Sequence, residues 1–437
     1  MLIDFKVQNF RSFMSQQEFS LVSSNYEKNL PQNVIVHSLP GLSGVKFLSS
    51  TALYGANASG KTNLLLALGA LQGFVVKSFQ ADLTNRTCAI PFKLRQCCLS
   101  EPSKFEIQFV SQNIRYRYKL SLTSQQVVDE TLVSYMGGPP QTWFCRRWNP
   151  QMQQYNWRFP NVQVRKGLRA ISGRTRPNVA FLSKAADDGH PYLQQVCEWF
   201  ARDLQLLNLA ENPLSPLFSI EQLKNQCKRN QILALLQAAD FDIVDMDVEE
   251  EILSVEDILS AEDIKKRLPP SLLKGFTPSY REGIDIPFKS VSVAFSHKGE
   301  KYPVKMDFDD ESNGTQRYFS LLGPWLDILE NGRVVLIDEL ETCLHPLLVI
   351  EIIKLFSSNL NKKGAQLIFT THNPLFLDET LLRRDQVWFT QKDHVGATHL
   401  YPLTDYAPRK GEALVKGYLN GRYGSIPFIP NGLIPNE

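Results

Sequence analysis

Residues Gly55 to Thr62 read G-A-N-A-S-G-K-T, a run whose residue types and spacing suit the binding of phosphate. Glycine near both ends lets the backbone turn tightly and aim successive N–H groups inward. A helix starting at Lys61 brings the positive end of its dipole, and the lysine adds a full charge. Gly55, Asn57, Ser59, Gly60, Lys61, Thr62 and Asn63 are the candidate binding residues of this loop. Lys61 would reach the β- and γ-phosphates of a nucleotide, while the Thr62 hydroxyl would be a ligand of the Mg²⁺ that bridges them. A glycine-rich surface turn would carry the same letters, so the flanks decide. Ser49 to Tyr54 reads as a short buried strand and Asn63 to Leu71 as a helix with an apolar face, the strand-to-helix context that a phosphate loop needs.

Three further stretches would complete the chemistry. Val334 to Ile337 is an apolar strand ending in Asp338 and Glu339; there Asp338 would hold the metal through its water shell and Glu339 would polarise an attacking water. Gln366 to His372 is another buried strand, ending in an imidazole that could reach a γ-phosphate. Lys61, Glu339 and His372 are thus the candidate catalytic groups, and Thr62 and Asp338 the candidate metal ligands. Glu311 to Arg317 places Ser312, Gly314 and Gln316 at the start of the helical pattern of Tyr318 to Leu329, a second helix N-terminus facing an anion. Each stretch alone has a plain structural alternative: solvated acids at a strand end, a core histidine, an ordinary helix cap.

The elements that must position these groups follow from hydrophobic pattern. Residues 1 to 22 alternate apolar and polar positions, as two strands joined through Asn9 to Phe13 would, and Lys104 to Val110 with Ile114 to Leu122 reads as a hairpin. His190 to Leu209 and Ile220 to Ala239 carry helical spacing. Asp240 to Asp263 is crowded with carboxylates but lacks calcium-loop spacing, which favours a solvated acidic face ending in a helix from Ser254, with Asp257 in capping-box position. Leu268-Pro269-Pro270 breaks that helix, and Val291 to Phe295 and Tyr302 to Phe308 resume strand character. From Thr131 to Ala186 there is no acid, while Arg146, Arg147, Arg158, Arg165, Lys166, Arg169, Arg174, Arg176 and Lys184 alternate with Trp143, Phe144, Trp148, Tyr155, Trp157 and Phe159. Two readings stand: a meander with rings inward and arginines solvated, or a groove in which cations meet phosphates and rings meet bases.

With 437 residues, 43% of them hydrophobic and 21% charged, the chain has an ordinary globular composition and room for two or three folding units. A net charge of +2 argues for neither a nucleic-acid nor a membrane partner, so any electrostatic argument must be local. The seven cysteines form no C-x-x-C pair, which speaks against a disulfide framework or a zinc site and leads us to expect a reducing, cytoplasmic setting. Charges interrupt the N-terminal apolar run, so no signal peptide is expected there, and the sequence has no unbroken run of about 18 apolar residues from which to expect a membrane span.

Taken together, the loop, the S-x-G-x-Q helix start, the D-E strand and the T-T-H strand resemble, in order and spacing, the ATP-binding-cassette ATPase heads of the SMC, RecF and OLD kind. Asp338-Glu339-Leu340-Glu341 with Leu344-His345-Pro346 resembles the OLD-like branch. Arg409-Lys410 and Lys416 to Pro427 resemble the tail of small AAA-type ATPases of phage-defence operons, the RloA, AbiL and PARIS AriA proteins. The resemblance implies an α/β P-loop NTPase fold of ABC-ATPase head type, with a helical insert in place of a long coiled coil. It implies one composite head: an N-terminal lobe over 1–185, the insert over 186–285, and a C-terminal lobe over 286–437 carrying signature, acidic strand and histidine. It also implies ATP and Mg²⁺ as ligands, Arg11 turned toward the nucleotide, and Gln96 as the candidate for the glutamine such heads place near the metal. Ser312 and Gly314 would belong to a signature motif that completes the site of a second copy, with Thr315 departing from the commonest L-S-G-G-Q.

By the same resemblance the chain would be an ATPase whose copies pair around ATP and act as a switch on a separate effector, such as a nuclease, in abortive anti-phage defence. The alternative is a RecF- or SMC-like DNA-maintenance ATPase that holds DNA directly. A third reading, a scaffold that binds ATP but turns it over too slowly to matter, stays open at this stage.

Overall fold

The computed structural model describes residues 1–37, 44–82, 84–207, 214–239, 242–253, 288–342, 344–409 and 411–427. The expected helix from Ser254, its break at Pro269-Pro270, Cys343 and Lys410 lie outside the described residues. Two compact units are present, Met1–Asn212 with Asp327–Glu437, and Pro213–Leu326.

A six-stranded sheet organises the first unit, in the order Leu204–Leu207, Val334–Ile337, Gln366–Thr370, Ser50–Tyr54, Val387–Lys392 and Thr398–Pro402. The first five strands run parallel and the last is antiparallel. Parallel strands covered on both faces need continuous apolar side chains, and Ser50–Tyr54, Val334–Ile337 and Gln366–Thr370 are buried along their whole length. Ile337 pairs with Phe369 and Thr370 with Leu53, so the strands end level. The loop after Tyr54, the acids after Ile337 and the histidine after Thr371 therefore emerge at one edge, where open α/β sheets bind ligands.

A second, antiparallel sheet runs Gln154–Arg158, Gln141–Asn149, Val127–Tyr135, Ile114–Leu122, Ser103–Ser111, Leu2–Gln8 and Gln17–Ser20. The first two strands of the chain pair as expected, Asp4 opposite Ser20. The expected hairpin closes with Ser111 opposite Ile114, over Gln112 and Asn113 at φ of 49° and 61°, a turn whose hand matches strand twist. The helix Lys61–Lys77 packs Leu64, Leu65, Leu68, Leu71 and Val75 into one apolar cluster with Phe5 and Phe105 of the antiparallel sheet and Leu53 and Ile368 of the parallel one. Lys61–Gln80 is long and apolar enough to cross a membrane by length and composition alone, although polar residues interrupt it, and its Leu64, Leu65, Leu68, Leu71 and Val75 lie in the core.

The architecture is α/β: a mainly parallel six-stranded sheet and an antiparallel seven-stranded sheet share the helix Lys61–Lys77 between them. No described helix exceeds 20 residues, so among the described residues no long coiled coil occurs.

Other departures from the sequence reading have physical causes. His190–Leu209 is not one helix: it is helical over Pro191–Glu198, turns through a wider coil at Trp199–Asp203, and becomes the outer strand Leu204–Leu207. The apolar positions at helical spacing are also positions a buried parallel strand accepts, and pairing with Val334–Ile337 decides the outcome. Ile220–Ala239 is two helices, Leu217–Gln222 and Gln226–Ala238, because the Asn225 side chain caps the second by accepting from Cys227 N and Lys228 N. In the second unit the acidic run is a strand, Ile243–Leu253, paired with Phe288–His297, which pairs in turn with Val304–Asp307. Arg229 and Lys305 pair with its Asp245 and Asp247 at 2.7 and 2.6 Å.

The basic and aromatic stretch resolves into the meander and a helical cap. Trp143 and Phe144 are buried, and Trp157, Phe159 and Phe181 pack together at 4.8–5.9 Å. Arg146 is fully buried and bonded to the carbonyls of Val179 and Arg176 at 2.7 and 3.0 Å, so it cannot meet a phosphate in the folded chain. Arg147 is exposed but paired with Asp129 at 2.9 Å.

Candidate functional site

Gly55 to Thr62 is a loop between the strand Ser50–Tyr54 and the helix that starts at Lys61. Ala58 and Gly60 take positive φ of 60° and 115°, and the loop is backed by the two strands at the sheet edge. Ser59 Oγ lies 2.6 Å from Thr390 Oγ1, and Thr398 Oγ1 donates to the Ser59 carbonyl at 2.8 Å. A Cβ at Gly55 would stand 2.5 Å from Thr390 Oγ1, and one at Gly60 would collide with Thr398. Gly55 is thus demanded by close backing, and Gly60 by close backing as well as by its positive φ. Asn57, Ala58 and Thr62 are exposed at the mouth.

Lys61 folds back over its own loop, donating to the Gly55 and Ala56 carbonyls at 2.9 and 3.3 Å. Burial pushes its ammonium down to about 8, a shift that the nearby charges of Asp338, Glu339 and Glu341 resist. The loop lysine and the acids of the next strand but one therefore share one site, although 277 positions separate Lys61 from Asp338 in sequence.

Thr370, the last residue of its strand, sets those acids. Its hydroxyl donates to Asp338 Oδ1 at 2.6 Å and accepts from Glu339 N at 2.7 Å, while its carbonyl accepts from Leu340 N. Glu339 is exposed and held at φ 50°, a left-handed conformation costing a non-glycine residue about 1 kcal/mol, which functional sites tolerate. Its carboxylate lies 3.9 Å from His372 Nε2. Burial, with the Lys61 charge adding to it, holds the His372 imidazole below its ordinary value. The main-chain N–H of His372 donates to Glu341 Oε1 at 2.7 Å.

Sequence reasoning assigned no role to Thr370 or Glu341. The signal was present in the threonine one strand over and the third acid of the D-E-x-E run, but only strand register reveals which groups they meet. Replacing Thr370 by valine keeps shape and strand preference while removing the hydroxyl. Steady-state turnover of Thr370→Val is expected to fall about tenfold with nucleotide affinity unchanged, read by phosphate release and equilibrium titration.

The remaining candidates lie as follows. Asn63 is at the loop helix, but its amide nitrogen donates to Ser12 Oγ at 2.7 Å, tying the helix to the N-terminal turn. Arg11, beside Ser12, is exposed at φ 50°, with its guanidinium 5.9 Å from the Phe10 ring. Gln96 is exposed on the short helix Gln96–Ser100. Ser312, Gly314 and Gln316 belong to the second unit, at the start of the helix Asn313–Asn331. Ser312 Oγ accepts from Thr315 N at 3.1 Å, the bond of an N-cap, while the Gln316 amide donates to the Phe308 and Glu311 carbonyls at 2.9 and 3.0 Å. Ser312 and Asn313 are exposed.

The tail is built onto the back of the loop. Tyr418 meets Tyr54 edge-on at 5.5 Å, and Ser425 Oγ donates to the Thr390 carbonyl at 3.0 Å. Thr390 therefore carries the phosphate loop on its hydroxyl and the chain's tail on its carbonyl.

Hydroxyl and carboxylate oxygens at Thr62 and Asp338 are the hard donors Mg²⁺ takes, and a buried ammonium beside a glycine-rich helix start fits a phosphate. Known structures offer distant likenesses. The SMC head domain from Thermotoga maritima is 12% identical over 92% of this chain and 98% of that one, with a TM-score of 0.40. The SmcHead bound to the C-winged helix domain of ScpA is 11% identical over 92% and 97%, TM-score 0.39. The Smc head with an extended coiled coil bound to the C-terminal domain of ScpA, derived from Pyrococcus furiosus, is 12% identical over 92% and 96%, TM-score 0.37. No curated protein matches the sequence. Residues 50–378, from the strand before the phosphate loop to just beyond the histidine strand, match one family model. The chain belongs to that family, described as "AAA domain, putative AbiEii toxin, Type IV TA system", and is an ATP-binding ATPase-type domain.

Proposed function

We propose that the protein hydrolyses Mg-ATP to ADP and phosphate and uses that cycle as a switch on a separate effector in anti-phage defence. The observation that carries this reading is the convergence of Lys61, Asp338, Glu339 and His372 at one edge of the parallel sheet. Lys61 binds the β- and γ-phosphates, Glu339 orients water and takes its proton, and His372 addresses the γ-phosphate. Thr62 and Asp338 would hold Mg²⁺, which when bound neutralises developing phosphate charge. Ser312 and Gly314, exposed or half-exposed at a helix start, would serve the site of a second copy, so that ATP joins two heads. The family description, a toxin of a type IV toxin–antitoxin system, supports a defence role, with a partner such as a nuclease delivering the toxic step.

Lys61→Ala tests the reading at its root. ATP affinity is expected to drop at least about a hundredfold in equilibrium titration, and unchanged affinity would sink the proposal. The lysine also predicts a proton balance. Its ammonium lies at about 8 before nucleotide arrives, and phosphate oxygens favour the charged form, so binding raises that value. ATP binding at pH 9 is then expected to take up close to one proton per site, and much less at pH 7. Calorimetry in buffers of different ionisation enthalpy reads the uptake, and Lys61→Met should abolish it.

One observation favours direct contact with DNA as a second reading. Arg158, Arg165, Lys166 and Arg169 are exposed and carry no ion pair among the described residues, unlike Arg147 and Arg174. Cations of this kind supply the sequence-independent, salt-dependent part of nucleic-acid affinity.

A further inference from the structure

The third acid of the D-E-x-E run sits where neither metal binding nor simple packing accounts for it. Glu341 is half-buried, and its Oε1 accepts the His372 main-chain N–H at 2.7 Å. Its Oε2 is shielded from water and has no hydrogen-bond partner among the described residues. A shielded carboxylate oxygen without a partner costs about 1–3 kcal/mol, a cost that an apolar side chain in the same place would avoid. Among the described residues the only hydrogen bond the carboxylate makes is to the peptide that carries the imidazole. The Glu341 charge acts on His372, Tyr54 and Lys61 alike, and Tyr54 OH donates to the next carbonyl along, that of Asn373, at 3.1 Å.

We propose that Glu341 is a positioning residue of the hydrolytic centre, fixing the turn after the strand Gln366–Thr370 so that the His372 ring faces the phosphate end of the site. Several anchors define that turn, among them the Thr371 N–H on the Leu53 carbonyl at 3.0 Å and Tyr54 OH on the Asn373 carbonyl. Thr370 joins its start to Asp338 and Glu339, and Glu341 joins the His372 peptide to the same acidic segment. The bonds on either side hold Thr371 and Asn373, and among the described residues Glu341 is the group that meets the His372 N–H itself. Displacement of a reacting group by about 1 Å can cost on the order of a hundredfold in rate.

The inference rests on the hydrolytic reading above, so its test includes one arm that needs no nucleotide. In the nucleotide-free protein, hydrogen–deuterium exchange at the His372 amide should speed at least about tenfold in Glu341→Ala. It should stay near wild type in Glu341→Gln, whose amide oxygen still accepts the bond. In the hydrolysis arm, Glu341→Ala should lose at least about tenfold in kcat with ATP affinity unchanged, Glu341→Gln should retain most activity, and adding His372→Ala to Glu341→Ala should cost no more than about a further twofold. Unchanged exchange in Glu341→Ala overturns the inference, as does full additivity of the two alanines, or a Glu341→Gln as impaired as Glu341→Ala. Should the wild-type chain fail to hydrolyse ATP at all, the hydrolytic reading falls, while the exchange arm still decides whether the carboxylate holds the turn.

Discussion

Glu339→Gln is expected to bind ATP as tightly as the wild type and to release phosphate at least about a hundredfold more slowly, the usual scale for losing a positioned general base. The residue is exposed at the end of a buried strand, and its carboxylate makes no contact that the fold depends on: Thr342 Oγ1 approaches at 3.3 Å and His372 at 3.9 Å. The left-handed backbone at φ 50° is held from outside, by Thr370 Oγ1 on the Glu339 N–H, so the amide replacement leaves the turn in place. ATP affinity, in contrast, is expected to depend on the Lys61 loop and its backing by Thr390 and Thr398, which this substitution does not touch. If two copies join around ATP, the variant should also accumulate the joined form with ATP and not with ADP, read by light scattering. Turnover equal to wild type would remove Glu339 from the chemistry. Loss of turnover without ATP-dependent joining would leave the hydrolysis and remove the switch.

The strand before the glycine-rich loop, the acid-tipped strand and the histidine strand are legible because each is a local pattern: a few apolar residues that a buried parallel strand requires, followed at once by the polar group at its end. What escaped the sequence depends on neighbours far along the chain. Leu204–Leu207 looks helical until Val334–Ile337 is beside it to accept its backbone bonds. Ile243–Leu253 carries five carboxylates among its β-branched residues, and becomes a strand because Phe288–His297 pairs along its whole length. Thr370 is one more hydroxyl in a strand until register sets it against Asp338. Arg146 shows the opposite case, a residue whose company in sequence suggests a surface and whose company in space forbids it.

That arginine leads to the largest structural effect expected here. Glu130 and Arg146, both fully buried, face each other across adjacent strands at 3.6 Å. Glu130 accepts from the Phe181 and Leu182 N–H groups at 2.7 and 2.9 Å, holding the start of the helix Phe181–Asp187, and from Tyr118 OH at 2.9 Å. Arg146 spans the other side of the joint, bonded to the Val179 and Arg176 carbonyls, with its guanidinium 4.0 Å from the centre of the Tyr155 ring. Removing one partner leaves the other charge buried and alone, which costs about 3–5 kcal/mol, whereas replacing both by apolar residues of similar size costs far less. Glu130→Ala and Arg146→Ala are therefore each expected to lower the melting temperature by on the order of 6–10 °C, and the pair Glu130→Leu with Arg146→Met to recover most of that loss. The pairing also decides how DNA binding must be tested. Weakened DNA binding in Arg146→Ala would report a damaged fold, whereas Arg158, Arg165, Lys166 and Arg169 can be changed to glutamine with melting unchanged. If DNA lies on this face, those four substitutions should flatten the dependence of affinity on salt by up to about four charges' worth. If the slope does not move, DNA is held elsewhere or not at all.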